Sequence, residues 1–322
     1  MNQLRLNPLT GRWVTMSTGR ASRPDEFAVD HGHPAESATG SCPFCPGHEE
    51  ELPPALETYG PSGDWLLRVV PNRYPAFEGS GELAVEHLGP LFVQAPAVGI
   101  HEVLVLTPDH DASWGDLDDR QAGLAMAAIR DRLEDHAGTT GIRYSQAIVN
   151  HGSAAGASVR HPHGQLLGIP FVPGELTEEL AGFERFQGGC LLCATVDAER
   201  DAGHRMVLDA DEVVVVAPWW SGSPFELLVI PTHHEGHLHH AAPSSLVAVG
   251  TATRDALSRL RSLLGDVSYN LVFHTLPHRS GAPFHWHVHV TPRVHSTGGF
   301  EQGTGVPINI VAPEDAAATL AG

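Results

Sequence analysis

Four cysteines and 22 histidines carry most of the metal-binding and nucleophilic chemistry open to this 322-residue chain. The cysteines form two CxxC pairs, Cys42/Cys45 and Cys190/Cys193. Such a pair shares one ion through a tight knuckle, and zinc completes the set with two more thiolate or imidazole ligands. Spacing selects those partners. His110 and His161 are 51 residues apart, and so are His234 and His285. The gaps from the second cysteine of each pair to the next of these histidines are 65 and 41 residues, as expected if a loop grew in one copy. The repeat predicts one metal set of Cys42, Cys45, His110 and His161, and a second of Cys190, Cys193, His234 and His285. His233 is an alternative to His234. Competing readings are a redox dithiol, one zinc ion shared by all four cysteines, and a metal-free thiol pair. No βαβ pattern follows either CxxC as a redox pair would require, and Cys45 and Cys190 lie far apart for a shared ion. Ligand type alone also admits iron.

The second reactive stretch is Asn150-His-Gly-Ser-Ala-Ala-Gly-Ala-Ser158-Val-Arg-His161-Pro-His163-Gly-Gln165. Side chains at i and i+2 of a strand share a face, so His161, His163 and Gln165 project together. The small residues before them let backbone N–H groups approach an anion. A neutral imidazole beside such a nest attacks phosphorus, provided its other nitrogen is held as a donor.

These residues need strands and helices to position them, and the same order of elements appears twice. Strands are expected at Trp65–Val70, Glu102–Leu106, Tyr144–Asn150 and His163–Ile169, with a helix over Leu117–Asp135. In the second half, Glu212–Val216, Glu226–Ile230, Tyr269–His274 and His285–Thr291 match as strands. Ser245–Leu264 matches as a helix capped by Ser244. Each half is an α+β unit with antiparallel sheet. The prolines and glycine of Pro170–Gly174 mark the join, giving halves 1–173 and 174–322.

Composition removes whole classes of function. Nineteen basic residues against 38 acidic ones give a formal charge of −19, the wrong sign for the counterion displacement that nucleic-acid binding uses. There is no lysine, which excludes a lysine Schiff base and a P-loop lysine. The apolar runs are too short to span a membrane. The N-terminal residues show no signal-peptide pattern, so the expected location is cytoplasmic.

The string N-x-G-x-x-A-G-x-S-x-x-H-P-H-x-Q resembles the active-site signature of the galactose-1-phosphate uridylyltransferase family, within the histidine triad superfamily. Asn7–Val14, Gly19–Pro24, Cys42–Gly47, Val70–Pro75 and Gly298–Gly305 are similar to further family segments. The last of these also resembles a plant relative acting on ADP-glucose. The resemblance implies two tandem histidine-triad-like halves, bound zinc, a homodimer, and a ping-pong exchange of UDP-glucose with galactose 1-phosphate. It implies that His163 becomes uridylylated and that Gln165 hydrogen-bonds a phosphoryl oxygen. Asn150 and Ser158 would bind phosphate, Arg20, Arg23 and Asn72 would lie near the nucleotide, and Phe300 and Glu301 would meet the hexose. An adenine nucleotide with phosphate as acceptor is the nearby alternative; a zinc-stabilised nucleotide-binding protein without turnover is another. The longer family members carry a lysine in the C-terminal segment; this chain has none, so arginine or backbone amides would have to replace it. His285-Trp-His287-Val-His289 lacks the glycine- and serine-rich approach loop and reads as a vestigial copy, with His285 on metal and His287 near the dimer or sugar side. His237, His239 and His240 read as a solvated face.

Overall fold

The computed structural model describes residues 2–22, 42–61 and 63–322. In chain order the strands are β1 (Gln3–Leu6), β2 (Trp13–Met16), β3 (Glu57–Tyr59), β4 (Leu67–Pro71), β5 (Glu86–His87), β6 (Val93–Gln94), β7 (Ile100–Val105) and β8 (Tyr144–His151). They continue as β9 (His163–Ile169), β10 (Met206–Asp209), β11 (Val213–Val216), β12 (Leu227–Pro231), β13 (Tyr269–His274), β14 (His287–Pro292) and β15 (Ile308–Asn309). The helices are α1 (Asp119–Gly138), α2 (Gly174–Arg185), α3 (Leu191–Ala202), α4 (Pro243–Leu264), α5 (Gly299–Thr304) and α6 (Pro313–Ala321).

Among the described residues, ten strands form one antiparallel sheet in the order β10-β11-β12-β14-β13-β8-β9-β7-β4-β3. The order is a palindrome in type: β13, β14, β12, β11 and β10 stand on one side as β8, β9, β7, β4 and β3 stand on the other. The two sets meet where β8 pairs with β13, Asn150 opposite Asn270 and Ala147 opposite Phe273. The duplicated order of elements is therefore visible as two five-stranded sets fused edge to edge.

Both faces of the sheet are covered. Val213 and Val215 belong to the core that α1 and α4 line, while Val214 and Val216 share a core with Leu191, Leu192 and Val196 of α3. A strand buried on both faces reads as an unbroken apolar run, which is why Val213–Val216 shows no alternation. Side chains such as Leu104, Leu166 and Leu271 are almost fully buried, each contributing about 1.5–3 kcal/mol.

α1 begins at Asp118, whose side chain accepts the Gln121 N–H, and buries Ala122, Ala125, Met126, Ile129 and Leu133 at helical spacing. It lies against α4, and the contact depends on Gly250. A Cβ there would sit 2.6 Å from the Ala122 carbonyl oxygen. The expected Ser244 cap is not used. Pro243 occupies the first turn and Ala242 is the N-cap, because proline's fixed φ and missing N–H suit that position. The helices α2 and α3 add a layer that periodicity did not reveal, and α2 starts at Gly174, just after the proline-rich stretch.

Candidate active site and metal centres

His163 opens β9 opposite Val105 of β7. It is 6 % exposed. Its Nδ1–H donates to the His161 carbonyl at 2.8 Å. That bond leaves the lone pair on Nε2. Burial outweighs the backbone hydrogen bond and lowers the pKa of His163, favouring the neutral ring. The Phe44 ring, from the first cysteine knuckle, packs 5.3 Å from the imidazole.

Gln165 lies two residues on, on the same face of β9. Its Oε1 is 2.9 Å from His101 Nε2. The Nδ1 of His101 accepts the Ala76 N–H at 3.0 Å. Asn72 Nδ2 stands 3.1 Å from the same His101 Nε2, while Asn72 Oδ1 accepts the Tyr74 N–H. Asn72 and Gln165 are thus brought together around one imidazole that the sequence did not single out.

Asn150 ends β8. Its Oδ1 accepts Asn270 Nδ2–H at 2.7 Å, and the same amide donates to the Ala155 carbonyl at 2.9 Å. Arg293 Nε in turn donates to Asn270 Oδ1. The Asn150 amide is therefore oriented from the second half, with its NH2 left for other partners. Asn270 was missed in the sequence; the signal was a polar residue inside the apolar run Tyr269–His274 that pairs back onto the signature strand. Gly152 follows with φ +79°, and a Cβ there would lie 2.0 Å from Ser268 Oγ, so the turn admits only glycine. Ser158 is exposed on the loop before His161.

Arg20 is half-buried in a 3-10 turn over Thr18–Ser22, and Arg23 lies outside the described residues. Phe300 is exposed on α5. The Glu301 carboxylate accepts the Gly298 and Ile308 N–H groups of its own segment.

Both cysteine sets assemble. The ligand atoms of Cys42, Cys45, His110 and His161 lie within 4.8 Å of one another and all four residues are buried. Cys45 Sγ is 3.3 Å from His110 Nδ1 and 3.6 Å from His161 Nδ1. His161 donates Nε2–H to the Thr107 carbonyl at 2.8 Å, which turns the Nδ1 lone pair toward the sulfurs as metal-binding imidazoles require. Burial, with help from neighbouring Cys42, pushes the Cys45 thiol up to about 11, a pair that a dication would hold as thiolates. Cys190, Cys193, His234 and His285 assemble likewise but more openly, with His234 exposed. His285 Nδ1 is 3.5 Å from each sulfur.

A third group appears that spacing did not predict. Glu179, His274, His287 and His289 also place ligand atoms within 4.8 Å of one another. His274 faces His287 across β13–β14, and Glu179 reaches them from α2. The signal was the alternation of His287 and His289, which shares one face of β14; the carboxylate came from a helix with no sequence cue. His287 is fully buried, with Nδ1–H donated to the His285 carbonyl and Nε2 3.0 Å from His289 Nε2. Glu179 and two histidines close over its ring. His237 and His239 are likewise half-buried rather than solvated, because Leu238 between them anchors the turn in the core; His240 is exposed.

Known proteins share this fold. The family described as galactose-1-phosphate uridyl transferase, N-terminal domain, matches residues 1–173. An ADP-glucose phosphorylase of Arabidopsis thaliana is 34% identical over 330 residues, covering 99% of this chain and 92% of that protein. A galactose-1-phosphate uridylyltransferase of Thermotoga maritima is 25% identical over 334 residues, covering 99% and 98%. The crystal structure of an Arabidopsis thaliana ADP-glucose phosphorylase with bound ADP-glucose superposes with a TM-score of 0.85 at 31% identity, covering 100% of this chain and 98% of that one. With the signature histidine, the first cysteine knuckle and the duplicated sheet in the same chain, the protein belongs to the galactose-1-phosphate uridylyltransferase family of nucleotidyltransferases.

Proposed function

We propose that the protein moves a uridylyl group between UDP-glucose and galactose 1-phosphate through a covalent uridylyl-His163. The single observation that carries this is the tether of His163. Its Nδ1–H is tied to the His161 carbonyl, so the free Nε2 lone pair is the nucleophile. Nε2 attacks the α-phosphorus, a P–N bond forms, and the P–O bond to the hexose 1-phosphate breaks. The second sugar phosphate then attacks through a phosphate oxygen, the P–N bond breaks, and the imidazole is restored. Gln165 donates a hydrogen bond to a phosphoryl oxygen. An amide transfers no proton to a leaving group, and a departing sugar phosphate needs little protonation, which favours transfer over hydrolysis. Asn150 and Ser158 bind phosphate oxygens, Asn72, Arg20 and Arg23 serve the nucleotide, and Phe300 and Glu301 the hexose.

Zinc fits the buried Cys42, Cys45, His110 and His161 set by donor chemistry. When bound it supplies a rigid pin for the loop carrying the His161 carbonyl. The more open Cys190 set and the Glu179 set, which adds a carboxylate to imidazoles, suit zinc or iron.

A second reading keeps His163 and takes an ADP-sugar with phosphate as acceptor. It is favoured by the 34% identity to the plant ADP-glucose phosphorylase. Labelled glucose 1-phosphate incubated with UDP-glucose or with ADP-glucose separates the two. Label entering UDP-glucose supports the first, and label entering only ADP-glucose supports the second. H163G is expected to abolish exchange while leaving bound metal unchanged; retained exchange would remove His163 as nucleophile.

A further inference from the structure

We infer that His101 is a positioning residue that fixes which end of the Gln165 amide faces the phosphoryl group. The inference rests on the nucleotidyl-transfer reading for its kinetic consequence, and on hydrogen-bond geometry alone for its structural one. The Ala76 backbone can only donate, and it points at His101 Nδ1 from 3.0 Å. The Nδ1 must therefore carry a lone pair, which places the single proton of a neutral ring on Nε2. Two groups lie near that proton. Asn72 presents Nδ2, because its Oδ1 is already taken by the Tyr74 N–H. A donor cannot receive a donor. Gln165 Oε1, 2.9 Å away, is then the acceptor.

The consequence is directional. A glutamine amide has one acceptor end and one donor end. With Oε1 held by His101, the NH2 is the end left for a substrate oxygen on the His163 side of β9. A flipped amide would turn its carbonyl oxygen toward a negative phosphoryl group and oppose the reaction. His101 thereby converts a side chain with two nearly isosteric orientations into a fixed donor, a case of preorganised transition-state stabilisation. The same imidazole fastens the 72–76 loop through Ala76, so that loop and the phosphoryl donor are set by one ring.

A double-mutant cycle tests this, read as the single-turnover rate of labelling His163 by saturating radiolabelled sugar nucleotide. Saturation removes any effect of a loosened 72–76 loop on KM. H101F is expected to slow labelling by roughly 10–100-fold, less than the 10²–10³ lost with an entire oxyanion donor. In the Q165A background H101F is expected to change the rate by less than about twofold, because the orientation it controls is gone. H101Q, which keeps an N–H donor, should recover part of the H101F loss. Equal slowing by H101F with and without Gln165, or no slowing in the parent, would overturn the inference. If H101F fails to fold, nitrogen NMR of the histidine-labelled parent, with the signal assigned through H101Q, reads the tautomer directly. Protonated Nε2 with bare Nδ1 is expected, and protonated Nδ1 would overturn it. A parent that transfers no nucleotide from either sugar nucleotide would defeat the functional reading, while the tautomer still decides the hydrogen-bond assignment.

Discussion

Single residues in this protein are legible where their chemistry is unusual and silent where their partner is remote. Glu102 illustrates the second case. It is almost fully buried on β7 and meets Arg132 of α1, with Nε to Oε2 at 2.9 Å and Nη2 to Oε1 at 2.6 Å, and His136 Nε2 at 3.4 Å. Burial pushes its carboxyl upward, but hydrogen bonds and charge from His136 and Arg132 outweigh that and hold it below the usual carboxylate range. Its folded pKa is thus depressed, so its contribution is present above the unfolded value of about 4.3 and is lost as pH falls through the folded value. E102Q is expected to lose about 1.5–3 kcal/mol at neutral pH, because Arg132 keeps the Glu57 and Asp135 carboxylates but loses its buried charge-assisted hydrogen bonds to Glu102. The loss should shrink as the parent is acidified below about pH 4. Urea unfolding of both proteins at several pH values checks this; a difference independent of pH would show that the carboxylate charge is not what is lost. His163, in contrast, was readable because the residues before it are small and the residues beside it are a zinc-type ligand and a glutamine.

At the scale of elements, the strands and long helices were largely readable from apolar runs and periodicity. Strands at His163–Ile169 and Tyr269–His274 have the expected bounds. Elements whose apolar face meets another layer rather than water were harder. The second cysteine pair opens α3, Cys190 as N-cap and Cys193 in the first turn; α2 and α3 pack beneath the sheet, and their sequence carries little that distinguishes them from loop. The α1–α4 contact shows how little sequence reveals of close approach. Gly250 reads as a poor helix residue, yet its absent side chain is what lets the Ala122 backbone come so near. G250A gains about 1 kcal/mol of helix propensity and incurs about 1–3 kcal/mol of overpacking, since the clash is with backbone rather than a movable side chain. A net fall in the urea midpoint with unchanged m-value is the expected result. A rise would mean that the helices separate at little cost.

For the whole molecule, the sheet is the device that makes one site from two halves. β8 carries Asn150 and β13 carries Asn270, and their pairing lets the second half orient the Asn150 amide of the first. Metal held by the first set would tie the segment around Cys42–Cys45 to the loop after β7 and the residues before β9 through His110 and His161. H110A is expected to lower bound metal by one equivalent and to lower Tm, measured by metal analysis and thermal unfolding. An unchanged metal content would remove His110 from the set. Among the described residues no helix is long and apolar enough to cross a membrane. By itself the sequence determined the duplication, both cysteine sets and the signature strand, because each rests on residue type and local spacing. Only the tertiary structure decided the Glu179–His274–His287–His289 group, the Asn270 support of Asn150 and the His101 hold on Gln165. Each joins side chains from elements far apart in the chain, and no local pattern encodes which strand will lie beside which.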